Sequence, residues 1–356
     1  MSPYSHVPHL TILYCGTTNP GGTCLQRMQD LQKLGHRVIE LDTVPGEIAT
    51  RRDTLAWRVC NRLVGAIDES RANERLLALP TELNPDVLWF DKPVTIERST
   101  LRKLQQRWPN AYALSYSGDD MFNSRNQSRA WRATIADWNL HVTTKSFNVP
   151  ELEAAGANDV LFVDKAFSPQ VHRPMPRSAE ERRDLGGDVG FIGWPEGSRE
   201  RSMRYLARHG VDVRVWGPWP RWKAARNFRV EGQPVWGDDY ARAISAFRIN
   251  LGFLRRVNRD LQTTRSIEIP ACGGFLLAER TDEHLRLLKE GVEAEYFASD
   301  AEMLEKVRYY LTHENERARI AAAGLRRCLT GGYSNADRLT SILHHALAAK
   351  ASAVAA

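Results

Sequence analysis

An arginine and a glutamate three residues apart, Arg265 and Glu268, stand just before a Cys272-Gly273-Gly274 turn and the apolar run Phe275-Leu276-Leu277-Ala278. At i and i+3 on a helix they share one face. A guanidinium can grip a diphosphate through two parallel N–H bonds, and a carboxylate accepts hydrogen bonds from both hydroxyls of a ribose. Together they have the chemistry to hold one nucleotide, with Gly273 and Gly274 at the same corner. A surface ion pair has the same spacing, so that reading stays open beside the first.

Other residues could share such a site. Gly193 closes an apolar run at Asp188–Ile192, and Arg199 and Arg201 follow where a helix begins. Unpaired N–H groups and the helix dipole favour a phosphate there, although two solvated charges in a first turn fit equally. Trp216-Gly217 ends another apolar run and Trp236-Gly237 precedes a helix. A flat base can stack on such rings, or the two indoles can simply pack. Asp119 and Asp120 follow the turn Ser115-Tyr116-Ser117-Gly118. A carboxylate there could take the proton of an attacking hydroxyl or steady positive charge on a reacting carbon; capping explains both residues as well. Asp238-Asp239 implies no metal, because an N-cap accounts for Asp239. His36 and His141 read as packed histidines at strand edges.

Short apolar runs alternating with helical patterns must position these groups. The runs are Leu10–Tyr14, Arg37–Leu41, Asp86–Phe90, Ala111–Tyr116, His141–Thr144 and Val160–Val163, then Asp188–Gly193, Val211–Gly217 and Ile249–Phe253. Between them lie a helix with Cys24, Met28, Leu31 and Leu34 on one face, a helical stretch over about 54–79, and helices near 96–108, 199–209 and 240–247. Strands separated by helices imply parallel sheets covered on both faces. The expected organisation is α/β: one doubly wound domain over residues 1–170, a proline-containing charged linker over 171–187, and a second doubly wound domain over 188–335. Residues 336–356 form a last helix that could pack back on the first domain.

Composition narrows the class. The 356 residues are 42% hydrophobic and 26% charged, as in soluble globular chains, and no apolar run approaches the roughly 20 residues of a membrane span. Met1 to His9 is polar and does not read as a secretory signal. Cys15, Cys24, Cys60, Cys272 and Cys328 are scattered without a C-x-x-C pair, which argues against a disulfide framework or structural zinc and for a cytoplasmic location. The net charge of +6 falls entirely in the second half. That suits a diphosphate ligand; basic residues interleaved with acids, without a recognition motif, argue against nucleic acid.

Glu268-Ile269-Pro270-Ala271-Cys272-Gly273 resembles the Glu-x-x-Ala-Cys-Gly element that closes the Glu-x7-Glu motif of family 4-like retaining glycosyltransferases of GT-B fold. The closer resemblance is to their CgeB-like (spore maturation protein) branch. It is carried by Phe191-Ile192-Gly193 with Arg199 and Arg201, Gly237-Asp238-Asp239-Tyr240 with Ala243, Asn250-Leu251, Arg265-Ser266-Ile267-Glu268, and Glu290-Gly291-Val292-Glu293 through Phe297. Phe147–Leu152 with Gly156 is similar to the last unit of that family's first domain. The likeness implies two Rossmann-like domains facing a cleft, with a nucleotide-diphosphate sugar, UDP-linked above all, as donor substrate and no prosthetic group. Glu268 would hold the ribose, and Arg265 with Arg199 or Arg201 the diphosphate. Asp260 stands in place of the motif's first glutamate, one methylene shorter. The loop Gly21-Gly22-Thr23 would face the cleft and offer backbone N–H groups to phosphate or acceptor. Metal-independent transfer with retention to a glycan, small-molecule or protein acceptor is the implied activity, in surface or spore-coat polysaccharide synthesis. A nucleotide-sugar epimerase of GT-B fold and a non-catalytic nucleotide-binding protein are the alternatives.

Overall fold

The computed structural model describes residues 7–46, 48, 66–176 and 178–355. Cys60 and the part of the expected 54–79 helix before residue 66 lie outside the described residues. The chain divides into two compact units, residues 1–164 with 335–356 and residues 165–334.

The first unit runs β1 (Thr11–Gly16), α1 (Thr23–Lys33), β2 (Arg37–Asp42), α2 (Ala72–Leu77), β3 (Val87–Asp91), α3 (Arg98–Arg107), β4 (Tyr112–Ser117), α4 (Arg129–Thr134), β5 (Leu140–Thr143), α5 (Asn148–Ala154) and β6 (Val160–Phe162). The strands form one parallel sheet in the order β2-β1-β3-β4-β5-β6. Neighbouring residues of β1 and β3 point to opposite faces, and both faces are buried. Ile12, Tyr14 and Trp89 pack with Cys24, Met28 and Leu31 of α1 and with Leu339, Ile342 and Leu343 of the closing helix. Leu13, Cys15, Leu88 and Phe90 pack with Leu101, Leu104 and Trp138. Leu34, expected on the buried face of α1, is exposed at the helix end.

The second unit begins with α6 (Ala179–Asp184), inside the stretch expected as linker, and continues β7 (Gly187–Ile192), α7 (Gly197–Arg208), β8 (Val213–Trp216), β9 (Phe228–Val230), α8 (Gly237–Ala246), β10 (Phe247–Gly252), α9 (Arg265–Ala271), β11 (Leu276–Glu279), α10 (Asp282–Leu287), β12 (Glu295–Phe297), α11 (Asp300–Thr312) and α12 (Glu314–Thr330). The closing helix, α13 (Asn335–Ala355), belongs to the first unit. The second sheet is parallel in the order β12-β11-β10-β7-β8-β9. Chain order reverses between β7 and β10, and ligands of doubly wound sheets bind beyond the carboxyl ends of the strands at such a switch point. The edge strands β9 and β12, three residues each, are too short for their sequence to show a period.

Candidate functional site

At the switch point of the second sheet two arginines converge. Arg265, the first residue of α9, donates Nε–H to the Ile192 carbonyl at the carboxyl end of β7, at 2.5 Å. Its guanidinium lies beside Gly193, where an added Cβ would stand 3.5 Å from Nη2. Arg199, in the first turn of α7, is only 5% exposed. It spans the ends of β7 and β10 through long bonds, Nη1 to Trp194 O at 3.3 Å and Nη2 to Phe253 O at 3.4 Å. Glu196 is the near counter-charge at 3.7 Å, and the buried Nε–H of Arg199 has no hydrogen-bond partner. Burial pushes the Arg199 pKa down to about 10; Glu196 opposes this, and the positive charges of Arg265 and Arg255 add to it. A buried guanidinium with an orphaned donor and like charges around it is costly unless an anion is present. The place has the electrostatics of an anion site.

Two arginines of α7 differ in placement. Arg199 faces the strand ends, whereas Arg201 is exposed to solvent. Two residues along a helix rotate the side chain by roughly 200°, so both cannot face the sheet.

Glu268, one turn after Arg265, is 6% exposed. The Tyr240 hydroxyl of α8 donates to its Oε2 at 2.6 Å, and His172 Nε2 lies 3.5 Å from its Oε1. Burial and the Glu268 charge push the Tyr240 hydroxyl well above its ordinary pKa, with Arg265 opposing them, so it stays a donor. Arg265 and Glu268 thus share a helix and a neighbourhood. The loop from Ser168 presents His172, whose Nδ1 accepts the Ser168 N–H at 3.0 Å. Neither His172 nor Tyr240 was singled out from sequence as a site residue, because both lie far from Glu268 along the chain.

The start of α9 is pinned from below. The Ser266 hydroxyl meets His284 Nε2 at 2.6 Å, and His284 Nδ1 meets the Glu279 carbonyl at 2.6 Å. Ser266 Oγ also accepts the Thr263 N–H at 3.0 Å, which leaves its own proton for the imidazole. At the end of β11 the Glu279 carboxylate accepts the Leu254 N–H at 2.6 Å, and burial raises its pKa.

Several expected ligand residues have other work. Trp216 is 4% exposed, donates its indole N–H to Leu185 O at 2.9 Å and packs under Arg214, so it cannot stack on a base. Trp194 and Trp236 are the half-exposed indoles at the same edge. Gly217, at φ 141°, is required because an added Cβ would stand 2.1 Å from Gly193 O. Gly273, at φ 70°, ends α9: its N–H bonds to Pro270 O, and the Gly274 N–H bonds to Ile269 O. Gly274 is further hemmed by Ile244 and Asn250. Asp260 serves its own loop, accepting from the Arg255 N–H at 3.2 Å and the Asn258 amide at 2.9 Å. The N-cap of α8 is Trp236, with Gly237 at its first position; Asp238 and Asp239 lie in the first turn, paired with Arg173 and Arg242. Among the described residues no group of three or more His, Cys, Asp or Glu side chains could hold a metal ion.

In the first unit Asp119 is partly exposed at the carboxyl edge of the sheet and pairs with Lys92 at 2.5 Å. Asp120 is fully buried, and its Oδ1 accepts from the Phe122 N–H and the Asn148 amide, so it holds its turn together rather than meeting solvent. Gly22 is the N-cap of α1. His141 is buried against the Ile135 carbonyl and burial pushes its pKa down to about 4, in keeping with a packed histidine.

No curated protein sequence matches the chain significantly. Solved structures do match in fold. A glycosyltransferase from Rickettsia africae superposes with a TM-score of 0.65 at 11% identity, covering 96% of this chain and 99% of that one. A sucrose-phosphate synthase from Thermosynechococcus elongatus gives the same TM-score and identity over 95% and 99%. Anabaena HepE in complex with UDP and glucose gives 0.64 at 12% identity over 97% and 100%. The two-unit fold is that of GT-B glycosyltransferases. Residues 199–344, which begin at Arg199 and include Tyr240, Arg265 and Glu268, match the model of a family described as glycosyl transferase-like.

Proposed function

We propose that this chain is a glycosyltransferase that moves a sugar from a nucleotide-diphosphate sugar, UDP-linked, to an acceptor hydroxyl. The carrying observation is the pair of arginines, Arg199 and Arg265, at the ends of β7 and β10, one of them buried with an orphaned N–H. They would take the diphosphate and stabilise the negative charge that grows on it as the sugar departs. Glu268 would accept from the ribose hydroxyls. Base stacking would fall to Trp194 or Trp236, two half-exposed indoles at the carboxyl edge of the sheet. Asp119 would be the acceptor-side carboxylate. The match of residues 199–344 to glycosyl transferase-like proteins and the UDP complexes of HepE support a nucleotide-sugar donor. Retention of configuration, membership of the CgeB-like branch and a polysaccharide acceptor belong to the same proposal and rest on the sequence resemblance; a cytoplasmic location belongs to it too and rests on the scattered cysteines.

The test uses UDP-sugars with wild-type protein and Glu268→Gln, which keeps an acceptor oxygen for Tyr240. Thermal shift should report stronger donor binding by the wild type than by the variant, because ligand bound to the native state raises the melting point. Release of UDP together with a glycosylated product completes the assignment. An isomerised donor without transfer would assign an epimerase instead, and equal binding by both proteins would remove Glu268 from the site.

A further inference from the structure

Glu268 does not choose its own orientation. Its side chain is 8% exposed, and each carboxylate oxygen has one protein group near it: Tyr240 O–H on Oε2 at 2.6 Å and His172 Nε2 near Oε1 at 3.5 Å. The His172 tautomer is fixed from the other side, since Nδ1 accepts the Ser168 N–H at 3.0 Å and the remaining proton must sit on Nε2. The rings of His172 and Tyr240 pack edge to face at 5.6 Å, so the two donors brace each other. Tyr240 comes from α8 and His172 from the loop at the start of the second unit, and the carboxylate is held between elements that do not belong to its own helix.

Geometry gives this arrangement a purpose beyond filling space. A carboxylate has about four acceptor positions, two on each oxygen. The Tyr240 hydroxyl takes one position on Oε2, and the His172 Nε2 stands 3.5 Å from Oε1. What remains is one position on each, a spacing that fits two adjacent hydroxyls. A carboxylate free to rotate would lose that match.

We propose that Tyr240 and His172 are positioning residues that present the Glu268 carboxylate to the vicinal hydroxyls of a ribonucleotide, and so give the site its preference for ribose over deoxyribose. The inference rests on the nucleotide-donor reading above and deepens it. Neither residue touches the reacting atoms; both act through Glu268.

The test is a cycle between side chain and ligand, in which removing hydroxyls from the ligand needs no variant at all. Affinities for UDP and for 2′,3′-dideoxyuridine diphosphate are measured by titration calorimetry on the full chain. Wild type should prefer UDP by about tenfold or more, the effect of hydrogen bonds to a charged group. Tyr240→Phe keeps the ring and its packing but should weaken UDP by about tenfold while leaving the dideoxy ligand within about twofold. His172→Gln, which restores an N–H toward Oε1, should retain more of the preference than His172→Phe. If Tyr240→Phe weakens both ligands equally, its role is structural and the proposal falls. If Glu268→Gln abolishes the preference and both Tyr240→Phe and His172→Phe preserve it, the donor reading stands and the positioning role is refuted. If wild type binds the two ligands alike, the ribose role of Glu268 fails first and the positioning proposal goes with it.

Discussion

Protonating one buried imidazole should loosen the helix that carries Arg265 and Glu268. His284 is 1% exposed and, in its neutral form, fully satisfied between the Ser266 hydroxyl and the Glu279 carbonyl. Burial depresses its pKa to about 4 from an ordinary 6.5, against small opposing effects from the Glu279 carbonyl and Asp260. The folded state therefore binds the proton less readily than the unfolded chain. Stability is complete above about pH 6.5 and is lost as pH falls toward about 4, because in that window the unfolded chain takes up more protons. The shift corresponds to about 3 kcal/mol at full effect, most of which is lost by about pH 4.5. Urea unfolding of wild type and His284→Asn at about pH 7.5 and pH 4.5 measures it. Asparagine keeps a donor near the Glu279 carbonyl but cannot titrate. The variant should start less stable and lose about 2 kcal/mol less than wild type between the two conditions. Comparing the two proteins cancels groups remote from His284, such as His141 in the first unit. An identical loss in both proteins would show that this imidazole does not titrate as its burial requires.

Two further outcomes follow from single contacts. Arg265→Lys replaces a planar fork, anchored by Nε to the Ile192 carbonyl, with a point charge; kcat/KM for a UDP-sugar should fall by about 10² or more with the melting temperature little changed, and undiminished turnover would count against the diphosphate role. Gly217→Ala forces a Cβ to within 2.1 Å of the Gly193 carbonyl at a φ of 141°, so it should destabilise the second unit by about 3 kcal/mol or more in urea unfolding; a shift under about 1 kcal/mol would mean that the ends of β7 and β8 yield easily.

What the sequence disclosed and what it hid divide along physical lines. Strands buried on both faces announce themselves as continuous apolar runs, which is why Asp86–Phe90 and Asp188–Gly193 are close to the observed β3 and β7. The i, i+3 spacing of Arg265 and Glu268 is local, and the helix was legible from it. Phase was not legible. Arg199 and Arg201 stand on opposite sides of α7 because two residues turn a helix by roughly 200°, and no residue between them reports which side faces the sheet. The tryptophans repeat the point. Trp216 ends a strand whose residues are all buried, whereas Trp194 lies past the end of its strand and reaches solvent, so only the end of each ladder decides which ring could meet a base. The partners of Glu268 were out of reach for a different reason. Tyr240 lies 28 residues away and His172 lies in a proline-containing stretch, and the sheet order that joins them is a property of the whole unit. A carboxylate's chemistry can be read from its neighbours in sequence, but its orientation belongs to its neighbours in space. The positioning role of Tyr240 and His172 could therefore emerge only from the folded chain.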